Sequence, residues 1–333
     1  MTSTRMVRHV RASRAQVSRA LIDALRRANR LRSVGMRELI AFIRLGRLLF
    51  LGGGFVMFGL GAAIAAWHGH AIDAGRYALG QAAVTALQLM THYANEYYDY
   101  DCDRANATPT RWSGGSRVLA SGELPRRVAL VAALVLGALG IAFGALAAAR
   151  SGAWTAPTIV AMLVLAWEYS APPLRLCALG AGEFDTAVVV TGLVPWLGFY
   201  LQAPDLAGAS TLAAAIVPLA LLQLAMLLAI EFPDAAGDAA TGKRTLVVRL
   251  GARRAAVLYA TATLAAYAWL PVAVWLGLPG RVALAAALLL PFATWRVARL
   301  ADHRDPRAFE RLTFGAVALL IATSAAELVA FVT

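Results

Sequence analysis

The sequence predicts an all-α, polytopic membrane protein whose nine transmembrane helices form a bundle around one central cavity. Of its 333 residues, 60% are hydrophobic, and the mean hydropathy of +0.64 lies far outside the range of soluble domains. Apolar stretches close to the ~20 residues that cross a bilayer recur along the chain. The predicted spans cover residues 48–67, 77–98, 128–149, 153–170, 184–202, 211–231, 255–276, 281–300 and 312–332.

The basic residues supply an independent test of this topology. With a cytosolic N-terminus, nine spans place 28 of the 31 Lys and Arg residues on the inner side and leave Arg76, Arg150 and Arg281 outside. Inner loops rich in Lys and Arg are what the positive-inside rule requires. We therefore predict a multi-pass protein of the inner (plasma) membrane with a cytosolic N-terminus. The net charge of +12 follows from this topology, so nucleic-acid binding is not expected.

The N-terminal segment is predicted to be a separate part of the protein. Residues 1–40 are strongly basic, with twelve Arg among the first 47 residues, and residues 15–32 carry apolar side chains at helical spacing. This pattern predicts a basic amphipathic helix that lies on anionic lipid. A disordered basic tail and an organelle transit peptide are the alternatives. Residues 41–333 form the predicted membrane domain.

Two short acidic segments follow the second and sixth predicted spans. Seven of the chain's 19 acidic residues lie there, and both segments face the cytosol in the predicted topology. Asn95, Asp99 and Asp103 are four residues apart, so a helix would place them on one face. Asp234 and Asp238 repeat this spacing. Like-charged carboxylates repel one another unless a cation lies between them, and such oxygen ligands suit Mg²⁺ that is shared with phosphate oxygens.

Two inner loops have the composition of a phosphate site. The loops at 104–127 and 241–251 combine Gly, Ser, Thr and basic residues, which can surround a phosphate with backbone N–H groups and positive charge. Lys243, the only lysine in the chain, is either a phosphate contact or an ordinary loop charge.

The loop after the fourth predicted span reads Tyr-Ser-Ala-Pro-Pro-Leu-Arg-Leu from residue 169. Its two prolines end the span, because neither can donate a hydrogen bond to a helix. Tyr169, Ser170 and Arg175 would then line the inner mouth of the bundle. A tyrosine at a membrane interface is also an ordinary anchor, and an arginine an ordinary inner-side charge, so both interpretations stay open.

Four motifs in this order resemble those of the UbiA superfamily of intramembrane prenyltransferases, most closely its 1,4-dihydroxy-2-naphthoate polyprenyltransferase (menaquinone) type. The resemblance covers most of residues 40–255. The motifs are Asn-x-x-x-Asp-x-x-x-Asp at 95–103, Gly-Gly-Ser-Arg-Val-Leu at 114–119, Tyr-Ser-Ala-Pro-Pro-Leu-Arg-Leu at 169–176, and Glu-Phe-Pro-Asp-x-x-x-Asp-x-x-x-Gly-Lys-Arg-Thr-Leu-Val-Val-Arg-Leu-Gly at 231–251.

The resemblance implies an enzyme that binds Mg²⁺, as two ions, together with a prenyl diphosphate. Lys243 and Arg117 would steady the diphosphate. Tyr169, Ser170 and Arg175 would lie near the reacting carbons. The implied metal ligands are Asn95, Asp99, Asp103, Asp234 and Asp238. The implied catalytic residues are Asp99, Asp103, Asp234, Asp238, Lys243 and Tyr169. The implied substrate-binding residues are Asn95, Arg117, Ser170, Arg175 and Arg244.

Two features depart from the family pattern. Ala235, Ala236 and Gly237 stand between the acidic residues of the second motif, where family members often carry further polar side chains, so a lower metal affinity is expected. Arg47 is followed by Leu48, whereas the first span of the family often opens with Arg-Pro. A diphosphate role for Arg47 is therefore not predicted.

The residues and the resemblance together predict Mg²⁺-dependent transfer of a prenyl group from a prenyl diphosphate to an aromatic acceptor. The acceptor expected first is 1,4-dihydroxy-2-naphthoate in menaquinone synthesis; homogentisate, 4-hydroxybenzoate and a specialised phenolic are the alternatives. Mg²⁺ with Lys and Arg would neutralise the developing diphosphate charge. Aromatic side chains would stabilise an allylic cation; the candidates are Tyr97, Tyr98, Trp167 and Tyr169. An ion-coupled transporter is less favoured, because it would carry its carboxylates near mid-membrane, and so is an inert scaffold.

Overall fold

The computed structural model of the protein describes residues 35–333. The predicted amphipathic helix at 15–32 lies outside the described residues, and the lipid-binding role of the N-terminal segment stays a prediction. The chain divides into two compact units, Met1–Arg44 and Leu45–Thr333. In the first unit, the described residues 35–44 are helical. The second unit contains both acidic motifs.

The regular elements of the second unit are helices, and the described residues contain no strand. The all-α fold class is therefore confirmed. A π-helical segment covers Ala187–Leu193. The α-helices are α1 (Leu51–Trp67), α2 (Ala74–Tyr98), α3 (Tyr100–Ala105), α4 (Arg126–Ala148), α5 (Thr155–Glu168), α6 (Gly182–Thr186), α7 (Val194–Tyr200), α8 (Ala209–Glu231), α9 (Ala235–Ala240), α10 (Leu246–Leu250), α11 (Ala252–Ala268), α12 (Leu270–Trp275), α13 (Gly280–Ala287), α14 (Leu290–Ala298) and α15 (Phe309–Val332).

Six helices in the described part of the chain are long and apolar enough to cross a membrane. Each overlaps one of the nine predicted spans, so the membrane class is confirmed and the count of nine is confirmed only in part. The six are Gly35–Trp67, Arg126–Ala148, Ala209–Glu231, Ala252–Trp275, Gly280–Ala298 and Pro306–Val332.

The other three predicted spans coincide with helices that are shorter, more polar or interrupted. Helix α5 has only 14 residues. Helix α2 has 25 residues, but Gln88, His92 and Asn95 lie on it and lower its hydropathy. At 182–200 the π-helical segment interrupts the α-helical pattern, and such segments are frequent at functional sites. A bundle of nine transmembrane helices therefore remains a prediction.

Glycines allow α1 and α7 to approach closely, as small residues do between membrane helices. A Cβ on Gly61 of α1 would overlap the carbonyl group of Pro195 on α7. A Cβ on Gly198 of α7 would overlap the carbonyl group of Phe58 on α1. The two helices therefore meet backbone to backbone, which fixes two walls of the cavity described below.

The loop after α3 connects the two acidic motifs. Thr108 Oγ1 donates a hydrogen bond to the carbonyl oxygen of Pro233 at 2.8 Å, and Asn106 Nδ2 donates to Asp234 Oδ1 at 2.6 Å. Gly237 packs on the same loop, where a Cβ would lie 3.0 Å from the backbone nitrogen of Asn106. Gly237 of the second motif thus leaves room for this loop to approach.

Candidate active site

Two adjoining cavities lie in the second unit. The larger has a volume of about 420 Å³ and is lined mainly by apolar side chains, and the smaller has a volume of about 70 Å³ and is mainly polar. Residues from α2 and α8, and Tyr169 directly after α5, line both of them. The shared lining residues are Arg47, Asn95, Trp112, Tyr169, Leu227 and Ile230. This combination of a polar end and an apolar chamber suits an elongated ligand with one charged end.

Both acidic motifs contribute to the smaller cavity, which we call the carboxylate pocket. Its walls include all five residues predicted as metal ligands, together with Lys243. The end of α2, the residue between α2 and α3, and α3 itself supply Asn95, Asp99 and Asp103. The connection between α8 and α9 supplies Asp234, and α9 supplies Asp238. The i, i+4 spacing therefore does place the acidic side chains toward a single site, and the two motifs face one another across it.

Lys243 Nζ lies between carboxylates of the two motifs. It is 2.7 Å from Asp99 Oδ2 and 3.7 Å from Asp238 Oδ1. Asp99 Oδ2 also accepts a hydrogen bond from Asn95 Nδ2 at 2.9 Å. The same amide nitrogen donates to Ser170 Oγ at 3.0 Å. The lysine and the amide thus hold together groups that come from four separate segments of the chain.

Two further carboxylates of the pocket, those of Asp103 and Asp234, lie against the loop that contains Gly114 and Gly115. Asp234 Oδ2 accepts a hydrogen bond from the backbone nitrogen of Gly114 at 3.1 Å, in addition to the bond from Asn106. Gly115 lies so close to Asp103 that a Cβ there would overlap the carboxylate. The loop glycines therefore both donate to one motif and make room for the other.

Burial raises the pKa values of these carboxyl groups. Burial, reinforced by nearby carboxylates, raises the pKa of Asp103 to about 8. It raises the pKa of Asp238 to about 7 although Lys243 opposes the shift, and it also raises the pKa of Asp234. Burial therefore disfavours the ionised forms of these carboxyl groups, and a cation bound among them would favour ionisation.

The donor set fits a divalent cation such as Mg²⁺. Carboxylate and amide oxygens are the ligands that this ion prefers, and Asp238 Oδ2 has no hydrogen-bond partner among the described residues. Within residues 35–333, no three His, Cys, Asp or Glu side chains already form a metal-ligand shell. Lys243 occupies the space between the motifs instead. The metal-ligand roles of the five residues stay a prediction.

Some of the other residues predicted for the site lie at the cavities, and others do not. Tyr169 lines both cavities, and Ser170 is fully buried and bonded to Asn95. The three arginines are not among the lining residues of either cavity. Arg117 Nη1 donates to the carbonyl oxygen of Asp103, Arg175 Nε has no hydrogen-bond partner among the described residues, and Arg244 is exposed. The substrate-binding roles of these arginines stay a prediction.

Among the residues that were not predicted for the site, the charged residues Arg47 and Asp185 line its cavities. Arg47 lies at the junction of the cavities, donates from Nη2 to the carbonyl oxygen of Trp112 at 2.8 Å and stacks on Phe50. Asp185 lines the apolar cavity. The sequence contained a signal for Arg47, which is the last basic residue before the first span. Of the four aromatic candidates, only Tyr169 lines either cavity; the other three are Tyr97, Tyr98 and Trp167.

Comparisons with known proteins agree with this geometry. The sequence model of the UbiA prenyltransferase family matches residues 55–322. A 1,4-dihydroxy-2-naphthoate octaprenyltransferase of Bacillus subtilis is 26% identical over 183 residues, which is 55% of this chain and 57% of that protein. The chain therefore spans little more than half the length of this relative.

A second relative has a different name. A digeranylgeranylglyceryl phosphate synthase of Thermococcus gammatolerans is 26% identical over 230 residues, 68% of this chain and 76% of that protein. Among solved structures, a UbiA homolog from Archaeoglobus fulgidus bound to DMAPP and Mg²⁺ has a TM-score of 0.58 at 14% identity, covering 84% of this chain and 98% of that chain. At this identity the structural likeness concerns the fold.

Proposed function

Because the chain belongs to the UbiA prenyltransferase family, we propose that it transfers a prenyl group from a prenyl diphosphate to an aromatic acceptor in a reaction that requires Mg²⁺. One observation carries this proposal: a pocket of carboxylates with the chain's only lysine adjoins an apolar cavity of about 420 Å³. The first fits a metal-bound diphosphate, and the second fits the isoprenoid tail.

The residues at the junction suit the chemistry. Bound Mg²⁺, as two ions, would neutralise the diphosphate as its bond to the prenyl C1 breaks. Asp99, Asp103, Asp234 and Asp238 would hold the metal, and Lys243 would place its ammonium group on the leaving diphosphate. The ring of Tyr169 lies where the polar and apolar cavities meet, so it can stabilise the positive charge that develops at C1. The apolar walls keep water away from this carbon.

We propose 1,4-dihydroxy-2-naphthoate as the first acceptor to test, in a step of menaquinone synthesis. The support is the Bacillus subtilis relative and the order of the four motifs. The archaeal synthase is equally identical over a larger share of the chain, which makes a glyceryl phosphate acceptor the second candidate. Homogentisate and 4-hydroxybenzoate complete the set.

The location of the reaction is also a proposal. The distribution of 28 basic residues inside and three outside supports an inner-membrane protein whose carboxylate pocket faces the cytosol. A cytosolic opening would give direct access to prenyl diphosphates and to an anionic acceptor. The basic N-terminal segment would then lie against the anionic lipid of the same leaflet.

Product formation by the purified protein tests the proposal. Geranyl diphosphate is incubated with each of the four acceptors, and product masses are measured with Mg²⁺, with chelator, and with Mg²⁺ restored. We expect the prenylated naphthoate, no product with chelator, and recovery when Mg²⁺ returns. If a prenylated glyceryl phosphate is the only product, the proposed acceptor changes to a glyceryl phosphate and the proposed class of reaction stays the same. Absence of every product, or turnover that persists in chelator, would contradict the proposal.

Gly115→Ala is expected to lower turnover about tenfold, because the new Cβ would displace the Asp103 carboxylate. Gly122→Ala is the matched control. Both glycines have positive φ, 67° and 76°, but a Cβ at Gly122 meets no atom within 4 Å. Each substitution should destabilise the protein by roughly 1–2 kcal/mol through backbone strain. Thermal unfolding and turnover are measured together. Equal loss of activity in both variants would mean that backbone strain alone is responsible.

A further inference from the structure

The diphosphate chemistry described above does not use Asp185. This residue lies on α6 and lines the apolar cavity but not the carboxylate pocket. Only 8% of its surface is exposed, and its Oδ1 atom has no hydrogen-bond partner among the described residues. A buried carboxylate that lacks a donor or a cation is strongly unfavourable. Ionisable groups retained in such places in membrane proteins usually serve function.

Two other polar side chains of this cavity are bonded to the backbone. Gln88 Nε2 donates to the carbonyl oxygen of Phe50 at 2.8 Å, and Thr186 Oγ1 donates to that of Glu183 at 3.1 Å. Both side chains are therefore explained by the fold itself. Asp185 has no such partner at Oδ1, so its acceptor capacity is directed to whatever occupies the cavity.

The position of Asp185 relative to Tyr169 fits contact with an acceptor. Gly182, the first residue of α6, packs on the Tyr169 ring, where a Cβ would lie 3.0 Å from Cε2. Asp185 is three residues further along, an advance of about 4.5 Å along the helix axis. Tyr169 marks the junction of the two cavities, and the acceptor must reach this junction to attack the prenyl C1. An aromatic ring bound there extends to Asp185.

We propose that the Asp185 carboxylate accepts a hydrogen bond from a hydroxyl group of the acceptor and thereby selects hydroxylated acceptors. The inference rests on the proposed function, since it takes the acceptor to bind beside Tyr169. An ionised carboxylate accepts hydrogen bonds and cannot donate them, so an ether in place of the hydroxyl leaves it unpartnered. Sites of this kind reject analogues that lack the hydroxyl hydrogen.

A matched pair of ligands tests this selection. The compound 1,4-dihydroxy-2-naphthoate is compared with 1,4-dimethoxy-2-naphthoate, which keeps the ring and the carboxylate but donates no hydroxyl hydrogen bond. Dissociation constants are measured by calorimetry on the purified full chain, without donor. We expect the unmodified protein to bind the hydroxylated compound at least about tenfold more tightly. Asp185→Leu should reduce this ratio to about one.

Two further variants and one control ligand complete the design. Thr186→Val removes a neighbouring cavity hydroxyl and should keep the ratio, because that hydroxyl is bonded to the backbone. Asp185→Asn should give an intermediate ratio, since an amide oxygen accepts more weakly than a carboxylate. Binding of inorganic diphosphate with Mg²⁺ should stay within about twofold in all variants, because the diphosphate is placed in the carboxylate pocket, which Asp185 does not line. This control also reports correct folding.

The outcomes separate this inference from the proposed function. Equal binding of the two compounds by the unmodified protein overturns the inference. So does an Asp185→Leu protein that binds inorganic diphosphate with Mg²⁺ and keeps the preference. If that variant does not fold, an Asp185→Asn protein with an unchanged ratio also overturns it. A hydroxyl preference that depends on Asp185 in a protein that yields no prenylated product would support the inference and contradict the proposed function.

Discussion

Asp234→Ala should reduce turnover by at least about 10³-fold, the largest effect that we expect from a single substitution. Asp234 lies in the carboxylate pocket opposite Asp99, and its two oxygens are held by Asn106 and by the Gly114 backbone nitrogen. A carboxylate that is fixed in this way can bind a cation without reorganisation. Its loss removes stabilisation of the charge that develops on the diphosphate. Single-turnover product formation with geranyl diphosphate measures the effect.

Asp101→Ala is the matched control for this variant. Asp101 belongs to the same acidic motif as Asp99, but its side chain is exposed and does not line the pocket. We expect near-normal turnover and an unchanged Mg²⁺ requirement. If Asp234→Ala retained more than about a tenth of the activity, which is a loss of ~1.4 kcal/mol or less, a metal site built from both motifs would be untenable.

The spacing within each motif was sufficient to predict which side chains share a face. Asn95, Asp99 and Asp103 line one pocket because successive i, i+4 positions stack on a helix. The pairing of the two motifs depends on long-range contacts such as Thr108 with Pro233. Such contacts leave no periodic signal, and the sequence suggested them only through the resemblance to a family.

Hydropathy predicted the helices better than it predicted membrane crossing. The polar residues of α2 that line the cavities are the same ones that lower its apolar character. A helix that carries cavity-lining polar residues therefore has a lower hydropathy than its neighbours, and hydropathy alone does not identify it as a transmembrane helix. The π-helical segment at Ala187–Leu193 has no sequence pattern of its own, and it lies beside the cavity wall that carries Asp185.

The sequence does not show in which direction the side chains of the predicted site residues point. The family resemblance indicated Arg117, Arg175 and Arg244 as substrate contacts, yet a resemblance does not fix where a long side chain points. Arg117 and Arg175 adopt positive φ values of 66° and 49°, an uncommon backbone conformation for arginine that sequence spacing does not predict. Asp185 was missed for the converse reason, because a single acidic residue within an apolar segment carries no spacing pattern.

Lys243→Ala should lower kcat about 100-fold and leave the KM for the acceptor nearly unchanged. Lys243 Nζ bonds Asp99 Oδ2 at 2.7 Å and lies 3.7 Å from Asp238 Oδ1, so it is held where the leaving diphosphate would lie. A charge-assisted contact of this type strengthens as negative charge develops, which corresponds to ~2–3 kcal/mol in the transition state. Arg253→Ala, which removes an exposed charge, should have no effect.

A purely electrostatic role for Lys243 in the resting pocket would give a different result. If the lysine only neutralised the buried carboxylates, its removal would tighten Mg²⁺ binding, and kcat at saturating Mg²⁺ would be normal. Measuring kcat across a Mg²⁺ titration therefore separates the two roles. A 100-fold deficit that persists at saturating Mg²⁺ means that the ammonium group acts on the diphosphate, because the metal can replace the lysine's charge in the pocket but not its contact with the leaving group.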